Sequence, residues 1–211
     1  MAPITDFNQL DLNKSYTYAD YLTWQFTDRV ELIMGKIFKM SPTPSSQHQH
    51  ITVAISSSIY QFLRNKPCKV FPAPFDVLLP DSSGVKDTVV QPDITVVCDP
   101  SKITKEGCSG APDLVVEVIS KSSVKKDLHE KYGIYEKAGV KEYWLVNPND
   151  RSLIIFLLDK NGKYQPSKPL TMGDKVISHV LPGFSLDLDE VFVNVVEEPE
   201  EGYYAEPVHR I

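Results

Sequence analysis

The chain has 211 residues, a formal net charge of −6 and 42% hydrophobic residues, which is the composition of one globular domain with a substantial core. The negative charge excludes a global basic signature, so a nucleic-acid partner would need local positive patches. The sequence contains neither the roughly 20 consecutive apolar residues of a membrane span nor an apolar signal segment. We therefore expect a cytoplasmic protein with no membrane partner.

Three cysteines, Cys68, Cys98 and Cys108, are widely spaced along the chain. They form no C-x-x-C pair, which disfavours a structural zinc site. An odd and sparse set of cysteines is typical of a reducing compartment.

The first half of the chain alternates between helical and strand patterns. Apolar residues at helical spacing, turn residues and prolines set the boundaries. We predict, in order, a loose lead-in (1–16), a helix capped by Thr17 (17–25), two strands turning at Met34-Gly35 (30–40), a helix (47–65), two strand pieces (69–80) and a strand (89–99).

The second half predicts further strands and one long helix. Asn161-Gly162 is a strong hairpin signal, and Gly139 is a helix stop. We predict a strand (112–120), an amphipathic helix (125–138), a strand (142–148), a hairpin (152–167), a final β-ribbon (175–188) and an acidic C-terminal tail (194–211). The pattern indicates an α/β or α+β domain, in which a central mixed sheet is flanked by helices.

Two carboxylates interrupt the apolar run "PDLVVEVIS". Because side chains alternate along a strand, Asp113 and Glu117 lie on one face, and apolar residues on both faces indicate a central strand. Asp93 begins the preceding strand in the same way, after a proline. If the two strands are neighbours, Asp93 and Glu117 share a face, where their repulsion favours a cation such as Mg²⁺ or Mn²⁺. The alternative is that Asp93 and Asp113 cap loops.

The predicted helix 125–138 carries a charged pair inside its apolar stripe. At 100° per residue, Asp127 and Lys131 fall within the arc that contains Ile134 and Tyr135. The pair is either a structural bridge, with Lys131 extending to solvent, or functional, since buried ion pairs are poor stabilisers. In the functional interpretation, the Lys131 ammonium reaches Glu117 or a phosphate.

Several segments of the sequence, in the same order, resemble one bacterial family. They are "MSPTPSSQHQ", "QPDITVVCD", "GAPDLVVEVIS", "DLHEKYGIYEKAGVKEYWLVNP" and "LPGFSLDLDEVF". The family is Uma-two, described as "putative restriction endonucleases" with the PD-(D/E)XK nuclease fold. The resemblance implies one nuclease-like domain over 17–193, with a restriction-endonuclease-like core and with the hairpin and the ribbon as additions.

The resemblance also implies site residues. Asp93 matches the aspartate of the family's PD motif, Glu117 matches its second acidic residue, and Glu31 matches an upstream glutamate. Asp127, Lys131 and Tyr135 match the D-x-x-x-K-x-x-x-Y helix.

One position departs from the general nuclease pattern, which expects a lysine two residues after the second acid. Ile119 occupies this position. Lys131 can replace the missing lysine spatially, and Lys121 is the second candidate. His48 shares the helical face of Ile51 and is an accessory candidate, with either a structural or a catalytic role.

The resulting hypothesis is metal-dependent hydrolysis of DNA phosphodiester bonds. Asp93 and Glu117 hold Mg²⁺ or Mn²⁺, Lys131 stabilises charge, Glu31 acts as a base or a second-metal ligand, and Asp113 is an outer ligand. The alternative is an inactive nuclease-fold module that binds a partner. A homodimer is a further expectation, in which residues 152–159 supply a sheet edge or an interface, or are plain core.

Overall fold

Two β-sheets, a short ribbon and four α-helices make up the part of the chain that our computed structural model describes, residues 3–40, 44–80, 84–120 and 130–193. The α+β class predicted from the sequence is confirmed. The acidic tail and the segment 121–129, with Lys121 and Asp127, lie outside the described residues.

The helices begin at the caps that the sequence supplies. Thr17 and Asp20 form a reciprocal capping box, and the Ser45 side chain accepts a hydrogen bond from the backbone N–H of His48. Gly139, with φ of 87°, ends the third helix. The helices are α1 (Tyr18–Tyr21), α2 (Ser46–Leu63), α3 (Tyr132–Ala138) and α4 (Leu188–Phe192).

Fourteen strands are present in the described residues. They are β1 (Val30–Ile33), β2 (Lys36–Lys39), β3 (Lys69–Pro72), β4 (Asp76–Leu78), β5 (Val89–Val90), β6 (Ile94–Val97), β7 (Gly107–Ser109), β8 (Leu114–Val118), β9 (Glu142–Asn147), β10 (Ser152–Leu158), β11 (Tyr164–Pro166), β12 (Leu170–Thr171), β13 (Lys175–Ile177) and β14 (Ser185–Asp187).

The strands form two main sheets. The first has the order β2-β1-β5-β4-β7, and the second has the order β11-β10-β9-β8-β6-β3, with β12 also pairing with β10. β1 and β2 form the predicted hairpin at Met34-Gly35, and β13 and β14 form a separate antiparallel ribbon. β8 and β9 are the parallel pair in the middle of the second sheet, and they place the carboxylate strand at its centre.

The predicted single strand 89–99 is wrong. It is two strands, β5 in the first sheet and β6 in the second. Pro92 lies between them and has no backbone N–H to continue a ladder. The chain therefore crosses from one sheet to the other at Gln91–Asp93, and this crossing brings the two sheets together beside Asp93.

The strand predicted at 152–159 is not a sheet edge. It is β10, which pairs with β9 on one side and with β11 and β12 on the other. Leu153 and Ile155 are buried in the core, so this strand is core rather than an open edge.

Apolar clusters cover both faces of the second sheet. One face packs against α2, α4 and the ribbon, through residues such as Ile55, Val116 and Phe192. The other packs against α3 and the first sheet, through Val115 and Tyr135 among others. Both faces of β8 are therefore shielded from water, as its continuous apolar pattern predicts.

The N-terminal residues are packed rather than loose. Leu10 and Tyr16 are buried in a third cluster with Leu32, and the backbone N–H of Ile4 bonds to the carbonyl of Thr23. The description of this segment as a loose lead-in is therefore wrong for these residues, because the aromatic side chains near them supply an apolar surface.

Cys68 and Cys98 form a disulfide, with their Cα atoms 3.8 Å apart. They lie one step beyond the β3–β6 pair Lys69↔Val97, so the ladder register brings them opposite each other. Cys108 is a buried free thiol, and burial raises its pKa to about 11. Among the described helices, none is long and apolar enough to cross a bilayer.

Candidate active site

Lys131 lies between two glutamates at the junction of the sheets. Its ammonium nitrogen is 2.9 Å from Oε1 of Glu117 on β8 and 3.1 Å from Oε1 of Glu31 on β1. Glu31 is 1% exposed, and Glu117 and Lys131 are each 3% exposed. Lys131 thus lies buried beside Glu117, as its place in the apolar arc predicts.

Tyr135 is one helical turn after Lys131 and contacts the same carboxylate oxygen. Its hydroxyl donates a hydrogen bond of 2.6 Å to Oε1 of Glu117. Burial, followed by the charges of Glu117 and Glu31, raises the pKa of Tyr135 well above its ordinary value. The hydroxyl is therefore a permanent donor that orients Glu117.

Glu31 is fixed by the crossing between the sheets. The backbone N–H of Gln91 donates to Oε1 of Glu31 at 3.0 Å. Because Gln91 is two residues before Asp93, this bond ties the position of the upstream glutamate to that of the PD aspartate. Glu31 and Gln91 are 60 positions apart in the sequence.

Asp93 lies directly across the ladder from Glu117, one step beyond the pair Ile94↔Val116. Its Oδ2 accepts a hydrogen bond of 2.7 Å from the backbone N–H of Val118. Residues opposite each other in an antiparallel pair share a face, so this register is compatible with Asp93 and Glu117 on one face, and a shared cation between them stays a prediction.

His48 reaches this site from the first turn of α2. Its Nε2 is 3.1 Å from Oδ2 of Asp93, and the hydroxyl of Thr52 donates to the His48 carbonyl at 2.8 Å. The structure therefore places this accessory candidate in contact with Asp93.

Asp113 has partners of another kind. Its Oδ2 accepts from the backbone N–H of Cys98 at 2.7 Å, and its Oδ1 accepts from Lys141 Nζ at 2.7 Å. These contacts join the entry of β8 to β6 and to the loop before β9. They favour the loop-capping interpretation of Asp113 over that of an outer metal ligand.

Sequence reasoning missed Asp76, Gln91 and Tyr21, which extend the polar site into the first sheet. Oδ1 of Asp76 accepts from Gln91 Nε2 at 2.7 Å and from the Tyr21 hydroxyl at 3.3 Å. Gln91 is adjacent to the PD motif, which was an available signal. The pairing of β4 with β5 that brings Asp76 to it has no such signal in the sequence.

The donor set suits a hard cation. Mg²⁺ is held by one or two carboxylates and keeps several waters, and Asp93 and Glu117 offer carboxylate oxygens on neighbouring strands. Within residues 3–40, 44–80, 84–120 and 130–193, no three His, Cys, Asp or Glu side chains converge to form a closed metal cage. An open site with two protein carboxylates is consistent with both observations.

Comparisons with known proteins identify the family and support the fold. The sequence profile of the Uma2 family, described as "Putative restriction endonuclease", matches residues 18–189. Since this match covers most of the chain, the protein belongs to the Uma2 family.

Two relatives extend the comparison. The "Uncharacterized protein sll1609" of Synechocystis sp. is 25% identical over 139 residues, which are 64% of this chain and 76% of that protein. The crystal structure of "a putative nuclease belonging to DUF820" from Anabaena variabilis has a TM-score of 0.66 at 19% identity. It covers 84% of this chain and 97% of its own. At this identity, the structural likeness shows a shared fold.

Proposed function

We propose that this protein is a metal-dependent endonuclease that hydrolyses phosphodiester bonds of DNA. The single observation that carries the proposal is the buried Lys131 ammonium shared by Glu31 and Glu117, beside Asp93. Membership of a family described as "Putative restriction endonuclease" supports the same activity.

Stability alone is a poor explanation for this arrangement. Removing charged groups from water costs several kcal/mol per ion, and apolar replacements of buried ion pairs are often neutral or stabilising. Among the described residues, the carboxylates of Glu31, Asp93 and Glu117 contact Lys131 and His48. Carboxylates grouped in this way suit the binding of a divalent cation.

Each residue has a defined part in the proposed reaction. Asp93 and Glu117 would hold Mg²⁺ or Mn²⁺, which polarises the phosphate and lowers the pKa of an attacking water. Lys131 supplies positive charge for the transition state. It takes the role of the strand-motif lysine, because Ile119 occupies that lysine's position in this chain. Glu31 and Tyr135 hold Lys131 and Glu117 in position.

Cleavage of supercoiled plasmid DNA tests the proposal. The wild type should nick or cut the plasmid with Mg²⁺ or Mn²⁺ and not in a chelator. Glu117→Gln and Asp93→Asn should lower the rate by at least about two orders of magnitude, the scale of losing a principal electrostatic group. Asp28→Asn is the matched control, because Asp28 is an exposed carboxylate paired only at the surface with Lys39.

Two results would contradict the proposal. Equal cleavage by wild type and Glu117→Gln would point to another site or to a contaminating nuclease. Absence of cleavage by the folded wild type, with varied metals and with plasmid, single-stranded DNA and RNA as substrates, would favour the inactive nuclease-fold binding module.

A further inference from the structure

A second polar cluster lies on the first sheet and borders the candidate active site, because the backbone N–H of Gln91 bonds to Glu31. Asp76 and Gln91 are opposite each other, one step beyond the β4–β5 pair Val77↔Val90. Their side chains meet at 2.7 Å, and the Tyr21 hydroxyl is 3.3 Å from the same Asp76 oxygen. This cluster, Tyr21, Asp76 and Gln91, has no part in the proposed cleavage.

Asp76 has neutral hydrogen-bond partners and no ion pair within the described part of the chain. Burial raises its pKa, and the nearby charge of Glu31 acts in the same direction. A half-buried carboxylate whose hydrogen-bond partners are neutral is an electrostatic site that a cation would stabilise.

Gln91 carries the second, independent observation. Gln91 is only 8% exposed. Its side-chain oxygen, Oε1, is buried and has no hydrogen-bond partner among the described residues. Leaving a buried carbonyl oxygen unpaired costs free energy. This oxygen belongs to the same planar carboxamide group as the Nε2 that contacts Asp76. A 180° rotation of that group would place Oε1, instead of Nε2, against the Asp76 carboxylate.

Asp76 connects the cluster to a cavity and packs against a neighbouring strand. A partly open cavity of about 130 Å³ reaches Asp76 and is also lined by Tyr18, Lys86 and Glu106. On the other side, β7 packs so closely that a Cβ on Gly107 would lie 2.1 Å from the Asp76 carbonyl oxygen. Only glycine permits this approach, so β7 packs directly against the backbone of Asp76.

We propose that Asp76 and Gln91 form a divalent-cation site, with the Asp76 carboxylate and the Gln91 amide oxygen as protein ligands. A carboxylate and an amide oxygen are hard ligands of the kind that Mg²⁺, Mn²⁺ and Ca²⁺ take, and water from the cavity completes the coordination. In the absence of the cation, the Gln91 Nε2 group occupies its place against Asp76. The amide then turns when the cation binds.

Binding of Mn²⁺ to the full chain tests this site without relying on cleavage. Free Mn²⁺ is measured by electron paramagnetic resonance during titration, and folding of every variant is checked by circular dichroism and thermal melting. The wild type should bind two ions. Glu117→Gln should retain the Asp76 site alone, and the double variant Glu117→Gln/Asp76→Asn should bind none.

Variants of Gln91 in the Glu117→Gln background separate a cation ligand from a structural amide. Gln91→Met keeps the chain length and removes the oxygen, so the Kd should rise by about tenfold or more, while Gln91→Glu adds a ligand charge and should lower the Kd by a similar factor. A purely structural amide predicts that both variants lose stability without these opposite changes in Mn²⁺ affinity.

The outcomes distinguish this site from the proposed active site. Loss of one bound ion in Asp76→Asn, with no loss in Asp93→Asn or Glu117→Gln, would support the Asp76 site and count against the proposed catalytic metal. Unchanged Mn²⁺ binding when Asp76→Asn is added to Glu117→Gln, or no tightening by Gln91→Glu in a folded protein, would overturn the Asp76 site.

Discussion

Lys131 Nζ lies 2.9 Å from Oε1 of Glu117, and both side chains are buried. The lysine comes from the beginning of α3 and the glutamate from the middle of β8. A helix and a strand are therefore joined through a charge pair where apolar packing alone would suffice. Glu31 contacts the same ammonium from the other sheet, so this lysine links three elements.

Replacing Lys131 with methionine should strongly destabilise the protein. Methionine fills similar volume but leaves Glu31 and Glu117 without their shared ammonium, and breaking a buried ion pair typically costs about 3–5 kcal/mol. The free energy of unfolding from urea denaturation at neutral pH measures this loss. Lys39→Met is the matched control, because Lys39 pairs with Asp28 at the exposed surface and should cost less than about 1 kcal/mol. Equal losses in the two variants would contradict the buried-pair interpretation.

The sequence predicts the elements whose signals are local. Thr17 and Gly139 mark helix ends through their own backbone preferences, and the apolar arc correctly orients Lys131. Alternation along β8 correctly places Glu117 under a covering layer. Each of these inferences needs only a few neighbouring residues.

The features that the sequence does not predict depend on long-range pairing. Residues 89–99 form two strands because β5 pairs with β1 and β4 in the first sheet, whereas β6 pairs with β8 and β3 in the second. Asp76 and Gln91 meet only because β4 pairs with β5, and the disulfide forms only because β3 pairs with β6. No local pattern encodes these partners, so the second polar cluster and the Cys68–Cys98 bond are visible only in three dimensions.

Tyr135→Phe should show the strength of a hydrogen bond to a buried charge. The variant removes the hydroxyl that donates to Glu117, and bonds to charged groups contribute about 1.5–3 kcal/mol. Tyr164→Phe is the matched control, because its buried hydroxyl donates to the neutral carbonyl of Val140 at 2.9 Å and should contribute about 1 kcal/mol. Urea unfolding of both variants measures the difference. A smaller loss for Tyr135→Phe than for Tyr164→Phe would be the contrary result.

Asp76→Asn should change how stability depends on pH. Burial raises the pKa of Asp76 above its ordinary value of 3.8, so the folded protein binds more protons than the unfolded chain between 3.8 and the raised pKa. The contribution of Asp76 to stability is therefore greatest at low pH and falls as pH rises through that window. Asparagine lacks this dependence.

Urea unfolding of wild type and Asp76→Asn in chelator, at pH 4, 5.5 and 7, measures the effect. The free energy of unfolding of Asp76→Asn should increase relative to wild type as the pH rises. A constant difference between the two proteins, or one that changes in the opposite direction, would show that the Asp76 carboxylate is not disfavoured by its surroundings.

Glu142→Gln should destabilise the fold without involving the candidate active site. Glu142 is fully buried on β9, and its Oε1 accepts from the Trp144 indole at 2.6 Å. Its Oε2 accepts from the Ser178 hydroxyl and from the backbone N–H groups of His179 and Val180, at 2.8–3.1 Å. The carboxylate thus holds the loop between β13 and β14 against the second sheet.

Both oxygens of the Glu142 carboxylate accept hydrogen bonds. Glutamine replaces one oxygen with an NH₂ group, which cannot accept, so the donors on that side lose their partner. The expected loss is about 2–4 kcal/mol, the scale of leaving buried donors without an acceptor. Thermal melting followed by circular dichroism measures it, with the exposed Glu190→Gln as control. Since Glu142 contacts none of the residues proposed to act on DNA, Glu142→Gln protein that remains folded at low temperature should keep its Mn²⁺ binding. Wild-type melting of Glu142→Gln would mean that these four hydrogen bonds contribute little to the fold.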